Sequence, residues 1–517
     1  MNSEDFRQLG KRTVDYIADY LDTIRDRQVL PEVKPGYLHK LLPKEMPSSP
    51  DHWTQILPDI ENLIMPGVTH WHSPKFNAFY PTGSSYPSII GEMLSAAIGC
   101  IGFNWMASPA CTELEVIVLD WLAKALALPE SYLNSSDGPG GGIIQGSASE
   151  ATLVALLVAK EKTVEHVKKN DPERREADIK GRLVAYASDQ SNSSVEKSSL
   201  HASITIRLLP SDENGSLRGS TLLEAIEKDI KEGLLPCCVI ATLGSTGTCA
   251  FDCLDEIGKI CNGRNIWLHV DAAYAGSACI CPEYRHMLKG VQHADSFDIN
   301  PHKWLLVNFD CSTMWFKDTT PLINAFSVDR VYLKHGHEKQ NILAPDFRHW
   351  QIPLGRRFRS LKLWLTLRLY GLSGLQTHIR NQCSLAQYFE TLVRNDPLFE
   401  IIKPATLGLV CFRAKGEDSF NMELLERLNK NRNLYMVAAH VDGKYVFRYC
   451  VCSRLTEASD VESSWSLIAN TARLLLKEQE KGAKGLLIRK GQSLSNKKTS
   501  NICTTDEHVN ITEFIST

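Results

Sequence analysis

The chain has 517 residues, 57 Lys and Arg against 60 Asp and Glu, and a formal net charge of -3. That length predicts two or three packed units and excludes a single small module. The balanced charge without a recurrent basic block argues against nucleic-acid binding, and no run approaches the roughly 18 consecutive apolar residues of a membrane span.

In chain order, Ser3 is a candidate cap for a first helix with apolar Phe6, Leu9, Val14, Ile17, Leu21 and Ile24, stopped by Pro31 and Pro35. Such a helix packs on its own core or reaches across to a partner subunit. The polar start, Met1 to Asp5, has no apolar signal core. From about Gly91, helical patterns such as Val116 to Leu128 and Ala151 to Val158 alternate with short apolar strands. Those strands, Arg182 to Tyr186, Cys238 to Thr242 and Ile266 to Val270, predict an α/β fold with a mostly parallel central sheet and helices on both faces. After about Leu375 a small α+β domain is expected, with a strand over Leu407 to Phe412, a helix over Met422 to Leu428 and a hairpin turning at Asp442-Gly443. The expected divisions are an N-terminal helical segment over 1–85, a large domain over 86–375, a small domain over 376–482, and a disordered Lys-, Ser-, Thr- and Asn-rich tail over 483–517. Fifteen cysteines scattered through apolar stretches, without a paired C-x-x-C array, read as free buried thiols in a reducing cytoplasm, with no metal site.

Three places carry chemistry. Lys303, beside Trp304, is a desolvated amine suited to a carbonyl cofactor, or a surface lysine lying over the indole. Asp271 ends an apolar strand, where α/β sheets bind ligands, and suits a protonated ring nitrogen, a metal or a helix cap. Gly138 to Gly142 followed by Gln145-Gly-Ser-Ala-Ser-Glu150 leads into a helix, an arrangement that serves a phosphate or an ordinary capped turn.

Five strings together resemble the group II pyridoxal-phosphate decarboxylases, aromatic-L-amino-acid branch, over nearly the whole chain. They are Phe79-Tyr-Pro-Thr-Gly-Ser-Ser85, Gln145-Gly-Ser-Ala-Ser-Glu150, His269-Val-Asp-Ala-Ala-Tyr274, Asn300-Pro-His-Lys-Trp304 and His349-Trp-Gln-Ile-Pro-Leu-Gly-Arg-Arg-Phe358. The resemblance implies the fold-type I aminotransferase architecture, a homodimer whose N-terminal segment is exchanged between subunits, and pyridoxal 5'-phosphate held by Lys303 as a Schiff base. It further implies that Asp271 pairs with the ring nitrogen, that Ala273 and Thr246 lie against the cofactor, and that Ala148, Ser149, Asn300 and His302 bind its phosphate. Trp71, Phe79, Tyr80, Pro81 and Thr82 would shape the pocket for an aromatic side chain, with Ile101 and Phe103 supplied by the other subunit. Asp329 to His337 resembles the family's catalytic loop, with Tyr332 as proton donor to the α-carbon.

One position departs from the decarboxylase pattern. Where the decarboxylases carry a histidine that stacks on the cofactor, this chain has Asn192, in Ser188-Asp-Gln-Ser-Asn192. A neutral amide does not titrate near pH 7. Asn192, and the order Phe79-Tyr80, resemble the insect aromatic acetaldehyde synthases. That resemblance implies oxygen-dependent conversion of L-dopa to 3,4-dihydroxyphenylacetaldehyde, CO2, NH3 and H2O2, with a role in cuticle formation. The alternative is an aromatic-L-amino-acid decarboxylase that produces dopamine.

Overall fold

The computed structural model describes residues 1–327 and 344–498, with side chains as far as Lys481. Two compact units divide the chain, Met1–Trp465 and the residues from Ser466 onward; both sheets and the site belong to the first. The larger sheet has seven strands, β1 Gly141–Gln145, β2 Leu183–Ser188, β3 Thr205–Leu209, β4 Leu235–Thr242, β5 Trp267–Asp271, β6 Ser296–Ile299 and β7 Ser312–Phe316, in the order β1-β7-β6-β5-β4-β2-β3. Only β7 runs against the rest. The sequence expected this mostly parallel sheet, and β1, β2, β5 and β6 are buried along their whole length.

Strand alternation sends successive side chains to opposite faces, and both faces are covered. Among the helices, α1 spans Ser3–Asp22, α2 Tyr86–Ile98, α3 Pro109–Leu126, α4 Ala148–Asn170, α5 Ser194–Ala202, α6 Gly219–Lys231 and α7 Leu254–Arg264. Ala185, Ile240, Trp267 and Met314 pack with Val154, Ala155 and Val158 of α4. Val184, Val239, Leu268, Val270 and Phe297 pack on the other side with Val118 and Leu122 of α3, Ile226 of α6 and Ile257 of α7.

α8, Arg359–Arg394, continues through the expected 375/376 boundary, with its one non-helical residue at Gly371 (φ 65°). The smaller sheet follows: β8 Phe399–Thr406, β9 Leu409–Ala414, β10 Val437–Val441 and β11 Lys444–Cys450 are antiparallel in the order β10-β11-β9-β8, with α9 Asp418–Asn431 between β9 and β10. Asp442 (φ 50°) and Gly443 (φ 74°) turn the expected hairpin, as a type I′ turn requires. The last helix, α10 Ala458–Lys498, stays helical beyond Ala483, where composition suggested an aperiodic tail; 499–517 lie outside the described residues.

The first helix is capped by Asn2, not Ser3, because the Asn2 side chain accepts from Glu4 N and Asp5 N while Asp5 reaches back to Asn2 N. Every described cysteine is a free thiol, no described group of residues could hold a metal ion, and no described helix is long and apolar enough to cross a membrane.

A buried ion pair fixes β1 at the sheet edge. Arg356 Nη2 donates to Glu115 Oε1 of α3 (2.5 Å) and to Ile144 O (3.0 Å), while Glu115 Oε1 also accepts from Ile144 N (2.8 Å). Both charged side chains are 1% exposed, so removing one strands the other in the interior. Arg356→Met is expected to cost about 3–5 kcal/mol, measured by urea unfolding of the purified protein.

Candidate active site

The carboxyl ends of β1, β4, β5 and β6 open on one edge of the sheet, around a cavity of about 150 Å³. Nine of the expected residues line it: Tyr80, Ala148, Ser149, Asn192, Thr246, Asp271, Ala273, Asn300 and Lys303. Five unexpected ones join them, Ser147, Ser194, Thr242, Gly244 and Tyr274. Ser147 was legible as the hydroxyl preceding α4. Thr242 sat hidden as the last residue of an apolar strand, paired across the ladder with Asp271.

One wall is the start of α4. Ser147 caps it by accepting from Glu150 N (3.2 Å), and Glu150 Oε2 accepts from Gly146 N (2.9 Å). The first intrahelical bond joins Ala151 N to Ser147 O, so the N–H groups of Ala148 and Ser149 precede the ladder. The glycines upstream serve packing instead: a Cβ on Gly140 would lie 1.8 Å from Ser131 O, and one on Gly141 would lie 2.6 Å from Asn134 Oδ1.

Asp271 closes β5 and accepts from Ala273 N at 3.0 Å. Lys303 sits in the turn Pro301–Trp304 after β6. The cavity reaches it, yet protein surrounds it: burial pushes its pKa down, while Asp271 and Asp298 pull it up. Its Nζ lies 5.8 Å from the Tyr80 ring centroid. Tyr80 stacks on Tyr274 (3.7 Å between centroids, 14° between planes), which stacks on Trp304 (4.5 Å). Opposite, Asn192 Nδ2 donates to Thr246 Oγ1 (2.8 Å) and its Oδ1 accepts from Ser194 N (2.9 Å), so the amide is tied at both ends.

The other expected residues do not line the cavity. His302 is buried beside it, with Nδ1 accepting from Cys311 N (2.8 Å), and burial with the nearby Lys303 charge lowers its pKa to about 3. Trp71 and Phe79 are exposed and stack on each other (5.3 Å), and neither is among the lining residues. Pro81 is buried and Thr82 partly so. Ile101 is exposed and Phe103 is partly buried. Tyr332, with most of the segment around it, lies outside the described residues. Tyr80, which lines the cavity, has its hydroxyl engaged as a donor to Ser245 O (2.7 Å).

The cavity fits a flat phosphorylated ring with an aldehyde. It offers one enclosed amine, one carboxylate, free N–H groups at a helix start, and two buried oxygens, Thr242 Oγ1 and Asn300 Oδ1, without a hydrogen-bond partner among the described residues. Comparison with known proteins decides the matter: residues 35–415 match the family model described as "Pyridoxal-dependent decarboxylase conserved domain". The chain belongs to that family. The aromatic-L-amino-acid decarboxylase of Manduca sexta is 54% identical over 504 residues, covering 98% of each chain. Other relatives carry the same name. Oryza sativa TDC, solved with PLP and tryptamine, superposes with a TM-score of 0.88 at 39% identity, over 92% of this chain and 99% of that one. The 4-hydroxyphenylacetaldehyde synthase of Rhodiola rosea gives 0.85 at 37% identity, over 92% and 99%. This decarboxylase therefore lies in the aromatic-L-amino-acid branch, has the fold-type I architecture and takes pyridoxal phosphate as its cofactor.

Tyr80→Phe keeps the ring stack but removes one of the two donors to Ser245 O, which retains Cys249 N (2.9 Å). It is expected to cost about 1 kcal/mol in urea unfolding without loss of cofactor on dialysis.

Proposed function

We propose that this decarboxylase acts on an aromatic L-amino acid, L-dopa on the resemblance, and that Asn192 diverts the product from amine to aldehyde. When bound, the cofactor supplies the electron sink that makes loss of CO2 feasible. In this reading Lys303 holds the cofactor's aldehyde carbon, Asp271 holds the proton on its ring nitrogen, and Ala273 lies against the ring. The N–H groups of Ala148 and Ser149, with Asn300, hold the phosphate. His302, outside the lining, supports the Lys303 turn through Cys311 N.

The observation that carries the aldehyde reading is the amide of Asn192, engaged by Thr246 and Ser194 and unable to titrate near neutral pH. With no imidazole there to relay a proton to the α-carbon, dioxygen competes for the electrons left by CO2. L-Dopa, O2 and H2O then give 3,4-dihydroxyphenylacetaldehyde, CO2, NH3 and H2O2, an aldehyde reactive enough to serve cuticle crosslinking. A second reading, dopamine as the product with little O2 consumed, is favoured by the curated relatives, which are named aromatic-L-amino-acid decarboxylases.

The reading includes a homodimer. Ile90, Met93, Leu94 and Ile98 of α2, and Phe6 and Val14 of α1, are exposed apolar residues suited to a second copy, which would carry Ile101 and Phe103 to the neighbouring pocket. Tyr332 would come with the segment outside the described residues.

The deciding measurement follows O2 uptake and H2O2 against CO2 with L-dopa. Equal amounts are expected; CO2 with dopamine and little O2 would establish the second reading. A positioned proton donor is worth about 10²–10⁴-fold, so Asn192→His is expected to raise the amine-to-aldehyde ratio on the order of 10²-fold, read by chromatography. Lys303→Ala is expected to abolish both turnover and the visible absorption of the bound cofactor.

A further inference from the structure

One face of the large sheet carries a polar column leading inward from the pocket. Trp267, His269 and Asp271 share that face on β5, and Ser296 and Asp298 join them from β6, with His269 opposite Ser296 and Asp271 opposite Asp298. Trp267 Nε1 donates to Ser296 Oγ at 3.0 Å, and Ser296 Oγ lies 2.9 Å from His269 Nδ1. His269 Nε2 in turn lies 3.3 Å from Asp298 Oδ1. His269, Ser296 and Asp298 have no exposed surface.

An indole only donates, so Ser296 accepts from Trp267 and its own hydrogen is free for His269 Nδ1. That leaves the imidazole hydrogen on Nε2, facing Asp298. The 3.3 Å approach is an ion-pair distance and not a completed hydrogen bond, and no described residue donates to either oxygen of Asp298. The surroundings offer little else. The charged or titratable groups acting on Asp298 are Asp271 and His269 from β5 and Lys303 from the following turn. β7 places Met314 across from it, and α4 covers the face with apolar Val154, Ala155 and Val158, its Lys162 lying at the far end over Trp267.

Two buried carboxylates on neighbouring strand ends resist being ionised together. A proton on the Asp298 carboxyl, in addition to the hydrogen that the neutral imidazole carries on Nε2, makes the pair neutral; its loss leaves a second negative charge beside Asp271. We propose that His269 and Asp298 hold one such proton and, as positioning residues behind Asp271, set how tightly that carboxylate binds the proton on the cofactor's ring nitrogen. The inference rests on the assignment of Asp271 made under Proposed function. Burial, followed by the like charge of Asp271, pushes the Asp298 carboxyl up to about 6, against the pull of His269 and Lys303. The pair is therefore neutral below that pH and negative above it, and the added charge strengthens the hold of Asp271 on a proton.

The test is a pH titration of the visible absorption of the cofactor-loaded enzyme, without substrate, in the parent and in Asp298→Asn, Ser296→Ala and Asp271→Asn. A spectral step near pH 6 is expected in the parent. Asp298→Asn is expected to remove it. Ser296→Ala, which frees the imidazole tautomer, is expected to displace it by on the order of half a pH unit, the worth of one hydrogen bond. An Asp298→Asn enzyme that titrates as the parent does overturns the proposal. Should that variant lose the cofactor, Ser296→Ala decides: a displaced step supports the pair and an unmoved step overturns it. Asp271→Asn separates the two readings. If it leaves the parent's spectrum and pH course unchanged, the assignment of Asp271 fails and takes the inference with it. If it alters them while Asp298→Asn does not, the inference alone fails.

Discussion

Placing a primary amine where bulk water scarcely reaches is costly, and the surroundings of Lys303 are organised around that cost. Burial disfavours its charged form, and Asp271 and Asp298 favour it. Carboxylates are themselves expensive to bury, so they need positions where backbone N–H groups or cations answer them; Asp271 has Ala273 N and Lys303. A parallel sheet gathers such positions, because the carboxyl ends of its strands share one edge. It must also be covered on both faces, which explains why a small pocket needs so long a chain.

The small sheet helps to hold that edge together. Arg448 on β11 donates to Ala78 O (2.7 Å) and Gly247 O (3.1 Å), and its guanidinium lies over the Tyr80 ring at 5.4 Å. Asn77 and Cys450 exchange hydrogen bonds, Asn77 Nδ2 to Cys450 O (2.9 Å) and Cys450 N to Asn77 O (3.1 Å). The segment before Tyr80 and the loop bearing Thr246 are thus clasped from the same strand, so the spacing between Tyr80 and Thr246 depends on residues remote in sequence.

What was legible in the sequence follows from the range of the forces involved. The central strands showed because burial on both faces demands continuous apolar runs, and the Asp442-Gly443 turn showed because its dihedrals demand those residues. Asp271 stood out as a charge closing such a run, and Lys303 as an amine beside Trp304. Direction and partnership did not. The resemblance offers Tyr80 as a residue that shapes the pocket, but only the fold reveals Ser245 O as the acceptor of its hydroxyl. The glycine run suggested a phosphate cradle, whereas close approach to Ser131 and Asn134 accounts for Gly140 and Gly141. Asn2 takes the cap in place of Ser3 because Asp5 completes its reciprocal bond. Asp298 passed unnoticed because its partners, His269 and Asp271, lie on a neighbouring strand.

The product question turns on which proton carriers the pocket retains. The described lining contains no histidine. Its two tyrosines are poor proton donors, since burial raises both hydroxyls well above their usual range. Both hydroxyls are also engaged elsewhere, Tyr80 donating to Ser245 O and Tyr274 accepting from Gly408 N. Asn192 is held by Thr246 and Ser194. That leaves the Lys303 amine as the lining's nitrogen able to carry a proton, and it also has to hold the cofactor. On the proposed reading, the balance between amine and aldehyde therefore rests on the tied amide of Asn192 and on Tyr332, the expected donor to the α-carbon, which lies outside the described residues.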